Sequence, residues 1–232
     1  MNLYHALNRG VDKRDIFLDS QDYARFVHDM YEFNDARPAG NAYRNFNPQT
    51  MMDLRSPSFG TNTNKVQKRE RIVDIHGWCL MKNHYHLLLS ERVEGGISMF
   101  LRKLNVGYVK YFNERYERTG TLLQGRTKKI LIDSDAHFLY ILSYIHLNPL
   151  DYLSSAHNWR IRDKGAFRSA KRALEYLKEY RWSSYLDYCG EKNFPSVITT
   201  DLFADASSKY EETIASYLRD TEKDTIKALS LE

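Results

Sequence analysis

Two apolar segments joined by a polar pair constrain the fold of this chain more than any other feature. Residues 71–81 and 84–90 both have the composition of strands, and only Lys82 and Asn83 separate them. Strands joined by so short a turn can pair only as antiparallel neighbours, so the sequence predicts a β-hairpin. Its flanks are almost wholly apolar, which predicts that the hairpin is buried.

The sequence before and after the hairpin predicts further strands and helices. Apolar and polar residues alternate over residues 3–10, which indicates a strand. Asp19 or Ser20 is a suitable N-cap for a first helix, and apolar residues recur at helical spacing over residues 98–115. Both segments are therefore predicted to be helices with one apolar stripe.

A short strand and a third helix complete the pattern. The strand covers residues 129–132, and the helix covers residues 133–148, where Pro149 disfavours further helical turns. The resulting order is strand, helix, strand, strand, helix, strand, helix. This order predicts an α+β fold, a ferredoxin-like antiparallel sheet with helices on one face, plus an added helix.

The chain is predicted to consist of one domain and a helical extension. Residues 1–150 form the domain, and residues 34–70 within it lack periodicity and are rich in turn residues, which indicates a long loop insert. Residues 151–232 are predicted to form a helical C-terminal extension. No chemical motif is evident there.

Composition excludes several classes of protein. No apolar run approaches the roughly 20 residues needed to span a bilayer, and the N-terminus lacks the pattern of a signal peptide, so we expect a cytoplasmic location. Only two cysteines occur, Cys79 and Cys189, which argues against a disulfide framework or a cysteine-rich zinc site. Any metal must have other ligands.

A cluster of cations and aromatic rings favours a polyanionic partner. The net charge is only +4, but seven basic residues fall between positions 103 and 129 and are interleaved with four aromatic residues. Cations can follow the phosphates of single-stranded nucleic acid while rings stack on unpaired bases. The alternative is a solvated helix face over an ordinary core. The candidate contacts are Lys110, Tyr111, Arg115, Arg126 and Lys128.

The strongest chemical signal is the sequence His84-Tyr85-His86. Residues two apart on a strand project from the same face, so both imidazoles are predicted to lie side by side. In an apolar hairpin, an imidazole needs a ligand or a hydrogen-bond partner. A pair of half-exposed histidines on a sheet face is the alternative.

The third predicted helix carries a polar stripe at the border of its apolar face. His137, Tyr140, Tyr144 and Asn148 recur at spacings of three or four residues. Tyr144 and Asn148, one turn apart, can address one centre, the hydroxyl as a nucleophile and the amide oxygen as a metal ligand. Half-buried helix-edge tyrosines and a helix end before proline are the alternative interpretation.

Four ordered motifs resemble the REP-associated tyrosine transposases, which belong to the HUH superfamily of single-tyrosine, IS200-like transposases. The resemblance covers residues 3 to 150, with a fainter match at residues 180–185. The motifs are YHALNRG at 4–10, WCLMKNHYHLLL at 78–89, GTLLQGR at 120–126 and SYIHLNP at 143–149.

The resemblance implies an activity and a role for each matching residue. His84 and His86 would bind a divalent metal, Mg²⁺ or Mn²⁺, with Asn148 in the place of the third ligand. Tyr144 would attack the scissile phosphate, forming a 5′-phosphotyrosine and releasing a 3′-hydroxyl. Its motif favours Tyr144 over Tyr140 as the nucleophile.

The same resemblance implies a partner. The family acts on palindromic hairpins in single-stranded DNA, allows a homodimer and would associate with the nucleoid, with no role for a membrane. Two departures from its pattern are Lys82, where proline is common, and the length of the insert at 34–70. Lys82 lies in a turn, whereas the insert bears on DNA specificity.

Two other functions compete with this interpretation. A domesticated nucleic-acid-binding module would keep the fold and the basic surface without any chemistry. An unrelated metallohydrolase would use His84 and His86 alone. The presence of Tyr144, Asn148 and both histidines together argues against the first, and the scarcity of acidic residues in the motifs argues against the second.

Overall fold

A four-stranded antiparallel sheet forms the centre of the protein. The computed structural model describes residues 1–38, 46, 69–156, 159–160, 170–207 and 209–219. The strands are β1 (Leu3–Arg9), β2 (Val73–Met81), β3 (His84–Glu91) and β4 (Lys128–Ile132). Their spatial order is β2-β3-β1-β4, and every neighbouring pair is antiparallel. This is the order of a ferredoxin-like sheet, so the predicted fold class is confirmed.

Three helices cover the two faces of this sheet. Helices α1 (Ser20–Glu32) and α2 (Gly96–Arg115) pack on one face, as the ferredoxin-like prediction requires. Helix α3 (Asp135–Leu147), the added helix of the sequence pattern, packs on the opposite face. Asp19 is the N-cap of α1, as predicted, and Ser134 is the N-cap of α3; both side chains accept hydrogen bonds from first-turn backbone N–H groups.

Side-chain alternation along the hairpin divides the core into two layers. Trp78, Leu80 and Leu87 lie in the layer under α1 and α2, whereas Cys79 and Leu88 lie in the layer under α3. All five are fully buried. The central strand β3 is therefore covered on both faces, which explains why its sequence is apolar at nearly every position.

The described part of the C-terminal extension contains helices joined by irregular segments and completes the layer under α3. Its helices are α4 (Ala170–Glu179), α5 (Tyr185–Tyr188), α6 (Ala204–Ser207) and α7 (Tyr210–Arg219). Leu177, Tyr188 and Ile214 share one hydrophobic cluster with Ile141 of α3 and Leu88 of β3. The boundary at residue 150 stays a prediction, and a continuous core crosses it.

Two further predictions concern the insert and the membrane. Most of the predicted insert at 34–70 lies outside the described residues. Within the ranges that the structure describes, no helix is both long enough and apolar enough to cross a membrane.

Ser184 ties the C-terminal extension to the free edge of β2. Its backbone N–H donates to the Trp78 carbonyl at 3.0 Å, and its hydroxyl accepts from the Trp78 N–H at 2.9 Å. The same hydroxyl lies 2.7 Å from Nε2 of His146 on α3. One fully buried side chain thus joins the sheet edge, α3 and the extension.

Replacing Ser184 with alanine should destabilise the protein by about 1–3 kcal/mol, because the buried Trp78 N–H loses its acceptor. Urea unfolding measures the effect. The matched control is Ser98→Ala, since Ser98 is exposed and its hydroxyl accepts a hydrogen bond from the exposed Lys129. Equal unfolding free energies for the two variants would contradict the assignment of Ser184 as the link.

Candidate functional site

Strand β3 places His84 and His86 on the sheet face that α3 covers. They lie opposite Met81 and Cys79 of β2, whose side chains belong to the layer under α3. The two ring centroids are 4.9 Å apart, with the rings nearly perpendicular. His86 is fully buried, and His84 is partly exposed, with Nδ1 2.6 Å from Oδ1 of Asn83. The predicted same-face arrangement is confirmed.

A third histidine, His5 of β1, contacts His86 from the neighbouring strand. Nε2 of His5 lies 2.9 Å from Nδ1 of His86, and the rings stack with centroids 5.1 Å apart. Nε2 of His86 has no hydrogen-bond partner among the described residues. The YHALNRG motif contained His5, but spacing alone gave no reason to expect that it contacts a residue 81 positions away.

The surroundings of His86 keep its ring uncharged. Burial lowers the pKa of His86 well below its usual value, and the neighbouring His84, His5, Arg160 and Arg9 lower it further. A neutral imidazole presents a lone pair, which is the form that binds a metal. The chemistry of His84 and His86 therefore fits a divalent cation.

The protein ligands available for a cation are few. Across the described residues, no three His, Cys, Asp or Glu side chains are arranged to hold a metal. Two imidazoles alone do not complete the coordination of a metal ion. The remaining ligands would have to be an amide oxygen, water or oxygens of a substrate.

Helix α3 brings Tyr144 to the histidines. The Tyr144 ring centroid lies 5.9 Å from that of His86 and 6.0 Å from that of His5, with the rings edge to face in both pairs. The ring is only 4% exposed. Tyr140, the competing tyrosine of the same helix, contacts Tyr144 at 5.8 Å and stacks on Tyr217 of α7.

Asn148 lies at the end of α3 and is fully buried. Its amide nitrogen donates to the Tyr144 carbonyl at 2.8 Å, which caps the helix. Its amide oxygen accepts a hydrogen bond from Arg160 at 2.7 Å. A metal that uses this oxygen as a ligand would therefore have to compete with the Arg160 guanidinium.

Arg160 is a further site residue that the sequence did not predict. Besides Asn148, it forms an ion pair with Asp151, and its guanidinium lies 5.8 Å from the Tyr144 ring centroid. Trp159 covers the same ring at 5.8 Å and donates to Asp151 at 2.7 Å. The only signal for this group was an aromatic residue beside a cation, which is too common a pattern to identify a site.

Among the predicted DNA contacts, Lys128 lies on the same face as the histidines. Leu7 pairs with His86 on one side and with Lys128 on the other, so all three side chains project from one face of the sheet. Lys128 is exposed, as is Arg126 in the preceding loop. Arg9, which the sequence analysis did not select, pairs with His84 and adds a cation to this face.

The remaining predicted contacts lie on α2, on the other side of the sheet. Lys110 is exposed there, away from the histidine face. Tyr111 is 6% exposed and its hydroxyl donates to Asp22, so its ring is part of the core and is not presented to a base. Arg115 forms ion pairs with Asp19 and Asp22. These two residues stabilise the contact between α1 and α2, and the structure does not support a DNA contact for either.

Comparisons with known proteins add a resemblance of fold. One solved structure that resembles this chain is a REP-associated tyrosine transposase bound to a REP hairpin, with a TM-score of 0.47, 13% identity and coverage of 87% of each chain. Similarity at this level transfers neither an activity nor a ligand. No family model matches the sequence, and no curated protein is significantly similar to it.

We expect His86 and His146 to stay uncharged well below the usual histidine pKa. Burial lowers the pKa of His146 from 6.5 to about 3, and the pKa of His86 also lies well below its usual value, with burial as the main cause. Titration of the ring protons by NMR in the presence of a chelator tests this. Neither ring should titrate between about pH 8 and about pH 5, where an ordinary histidine does.

These shifts also fix the sign of the pH dependence of stability. Below about pH 6.5 these histidines bind protons in the unfolded chain but not in the folded protein. The free energy of unfolding therefore falls as the pH falls. Asp187 acts in the opposite sense, because burial raises its pKa to about 6. Burial also lowers the pKa of His76, so three of the described histidines act against one carboxyl, and the free energy of unfolding should fall between about pH 6 and pH 5. A flat or rising unfolding energy in urea would contradict this.

Proposed function

We propose that this protein is a metal-dependent single-strand DNA endonuclease and strand transferase that acts on palindromic hairpins through a 5′-phosphotyrosine at Tyr144. One observation carries the proposal. The Tyr144 ring lies 5.9 Å from His86, on the face where His84 and His86 project side by side. A nucleophile and a pair of potential metal ligands, distant in sequence, are thus brought together.

His84 and His86 would hold the cation. Chemistry supports this role, because His86 is neutral and its Nε2 has no hydrogen-bond partner among the described residues. A bound Mg²⁺ or Mn²⁺ would polarise an oxygen of the scissile phosphate. Asn148 remains the proposed third ligand, and its amide oxygen would have to give up the hydrogen bond from Arg160 in order to bind the metal.

Tyr144 would carry out the covalent step. Its hydroxyl oxygen forms a bond to phosphorus while the bond from phosphorus to the 3′ oxygen breaks. The phenolic proton goes to solvent, and the leaving oxygen takes up a proton to become a free 3′-hydroxyl. Attack by the 3′-hydroxyl of another strand reverses the step, restores Tyr144 and completes strand transfer.

Cations around Tyr144 are suited to hold the DNA backbone. Arg160 lies beside the Tyr144 ring, and Arg9 and Lys128 project from the same sheet face. Guanidinium groups bind phosphate oxygens through two parallel hydrogen bonds. Arg126 lies in the loop that leads into β4 and would extend this surface.

One observation favours a second candidate, a binding module without chemistry. Tyr144 is 4% exposed, and Trp159 and Arg160 contact its ring, so access of a phosphate to Tyr144 requires surrounding side chains to move. A module that only binds DNA would need no such movement. Formation of a covalent adduct distinguishes the two functions.

Replacing Tyr144 with phenylalanine should reduce adduct formation on labelled single-stranded hairpin DNA by at least about a thousandfold, because only the nucleophilic oxygen is removed. A denaturing gel with Mn²⁺ present measures the adduct. The matched control, Tyr140→Phe, alters the neighbouring tyrosine and should retain it. Peptide mapping that locates the DNA on Tyr140 would overturn the assignment, and the absence of any adduct in the parent protein would favour the binding module.

Replacing Lys128 with alanine should weaken binding to a hairpin with single-stranded arms and lower the slope of log affinity against log salt by about 1, since one phosphate contact is lost. Arg126→Ala should act in the same way. Lys110→Ala is the control of equal charge change, because Lys110 lies on α2 across the sheet. Fluorescence anisotropy over a salt series measures all three.

The form of the DNA is tested in the same assay. Unpaired arms should raise affinity and nicking above those of a blunt duplex, because a flexible single strand can bring a phosphate to the buried Tyr144 more easily than a stiff duplex can. An equal response of the Lys110→Ala and Lys128→Ala variants, or equal affinity for hairpin and duplex, would contradict the proposed surface.

A further inference from the structure

His5 is a buried titratable residue that the proposed function does not use. It lies on β1, and both its ring and that of His86 are fully buried. Nε2 of His5 and Nδ1 of His86 are 2.9 Å apart, so one of the two nitrogens carries the proton of a hydrogen bond and the other accepts it. The direction of this bond decides what the other nitrogen of His86 can do.

A neutral imidazole carries one N–H. If Nδ1 of His86 is the donor, its Nε2 has a lone pair; if Nδ1 is the acceptor, Nε2 bears the proton and cannot bind a cation. Nε2 of His86 is buried without a hydrogen-bond partner among the described residues. In either arrangement one outer nitrogen carries an N–H, Nδ1 of His5 or Nε2 of His86. Only the arrangement with the proton on His5 leaves a lone pair on Nε2 of His86, where a metal ion can satisfy it.

We propose that His5 accepts the Nδ1–H of His86 and thereby holds His86 in the tautomer whose Nε2 can bind a divalent cation. His5 is a positioning residue, since it acts through His86. The inference rests on the proposed metal role of His86. Stacking of the two rings, at 16° between their planes, adds a second restraint because it limits rotation of the His86 ring.

The register of the sheet maintains this contact. β1 and β3 are paired over seven residues, with Leu7 opposite His86 and His5 opposite Leu88. His5 and His86 are therefore diagonal neighbours on one face, at a separation that long or aromatic side chains can bridge. Because both strands are central in the order β2-β3-β1-β4, hydrogen bonds on either side hold the backbone of both residues in this register.

The tautomer can be measured directly in the full-length protein without metal. Long-range ¹H–¹⁵N correlation spectra distinguish the two ring nitrogens, and comparison with His86→Gln assigns the His86 signals. We expect the proton on Nδ1 in the parent protein and a shift of population toward Nε2–H in His5→Phe. A proton on Nε2 in the parent protein overturns the proposal, whatever the activity of the protein.

Titration with Mn²⁺ alone, followed by electron paramagnetic resonance, measures the consequence for metal binding. His5→Phe keeps an aromatic ring but removes the acceptor, and we expect it to weaken Mn²⁺ binding by about 10–100-fold. In His5→Gln the side-chain oxygen reaches the position of the histidine Nε2 and should restore most of the affinity. Thermal unfolding of both variants accompanies the titration.

The outcomes separate this inference from the proposed function. Equal Mn²⁺ affinity in the parent protein and a folded His5→Phe variant overturns the positioning role. The positioning role is also overturned if Mn²⁺ affinity is lost in His5→Phe and is not restored in His5→Gln, because a steric role of His5 would then explain the loss. If the parent protein binds no Mn²⁺, the proposed metal site fails, and the tautomer in the parent spectrum still decides what His5 does.

Discussion

The pairing of β3 between β2 and β1 is the constraint on which the rest of the structure depends. Because both edges of β3 are hydrogen bonded, its side chains have only two directions, and each meets a covered layer. Tyr85 and Leu87 enter the layer under α1 and α2, so His84 and His86 must enter the layer under α3. A shift of one residue in the register would exchange these sets and put both imidazoles into the apolar core.

The layer under α3 has to accept polar rings among apolar side chains, and it does so through neighbouring polar groups. His86 has His5 as its partner, and His146, on the same helix as Tyr144, lies between the hydroxyls of Tyr210 and Ser184. Because Tyr210 and Ser184 belong to the C-terminal extension, the residues after 150 support the candidate site as well as covering the core.

Local periodicity explains which features could be predicted from the sequence. The hairpin, the common face of His84 and His86 and the helix that carries Tyr144 all depend on spacings of two to four residues, which a strand or helix converts directly into geometry. The contacts of His5 and Arg160 depend on strand register and on a turn after α3, which no local pattern encodes. The prediction that Tyr111 contacts DNA had the same weakness, because the burial of this ring depends on the packing of α1 against α2, which no local pattern encodes.

Arg9 and Arg160 link the electrostatics of the site to its proposed chemistry. Both lower the pKa of His86, so the positive field that they create helps to keep the imidazole unprotonated and able to bind a metal. The same positive field opposes the binding of a metal cation, since like charges repel. A phosphate resolves this conflict, because its negative charge attracts both the guanidinium groups and the metal. Under the proposed function, metal and DNA would therefore bind cooperatively, and Asp151, which holds Arg160 beside Tyr144, would give up part of its ion pair to the incoming phosphate.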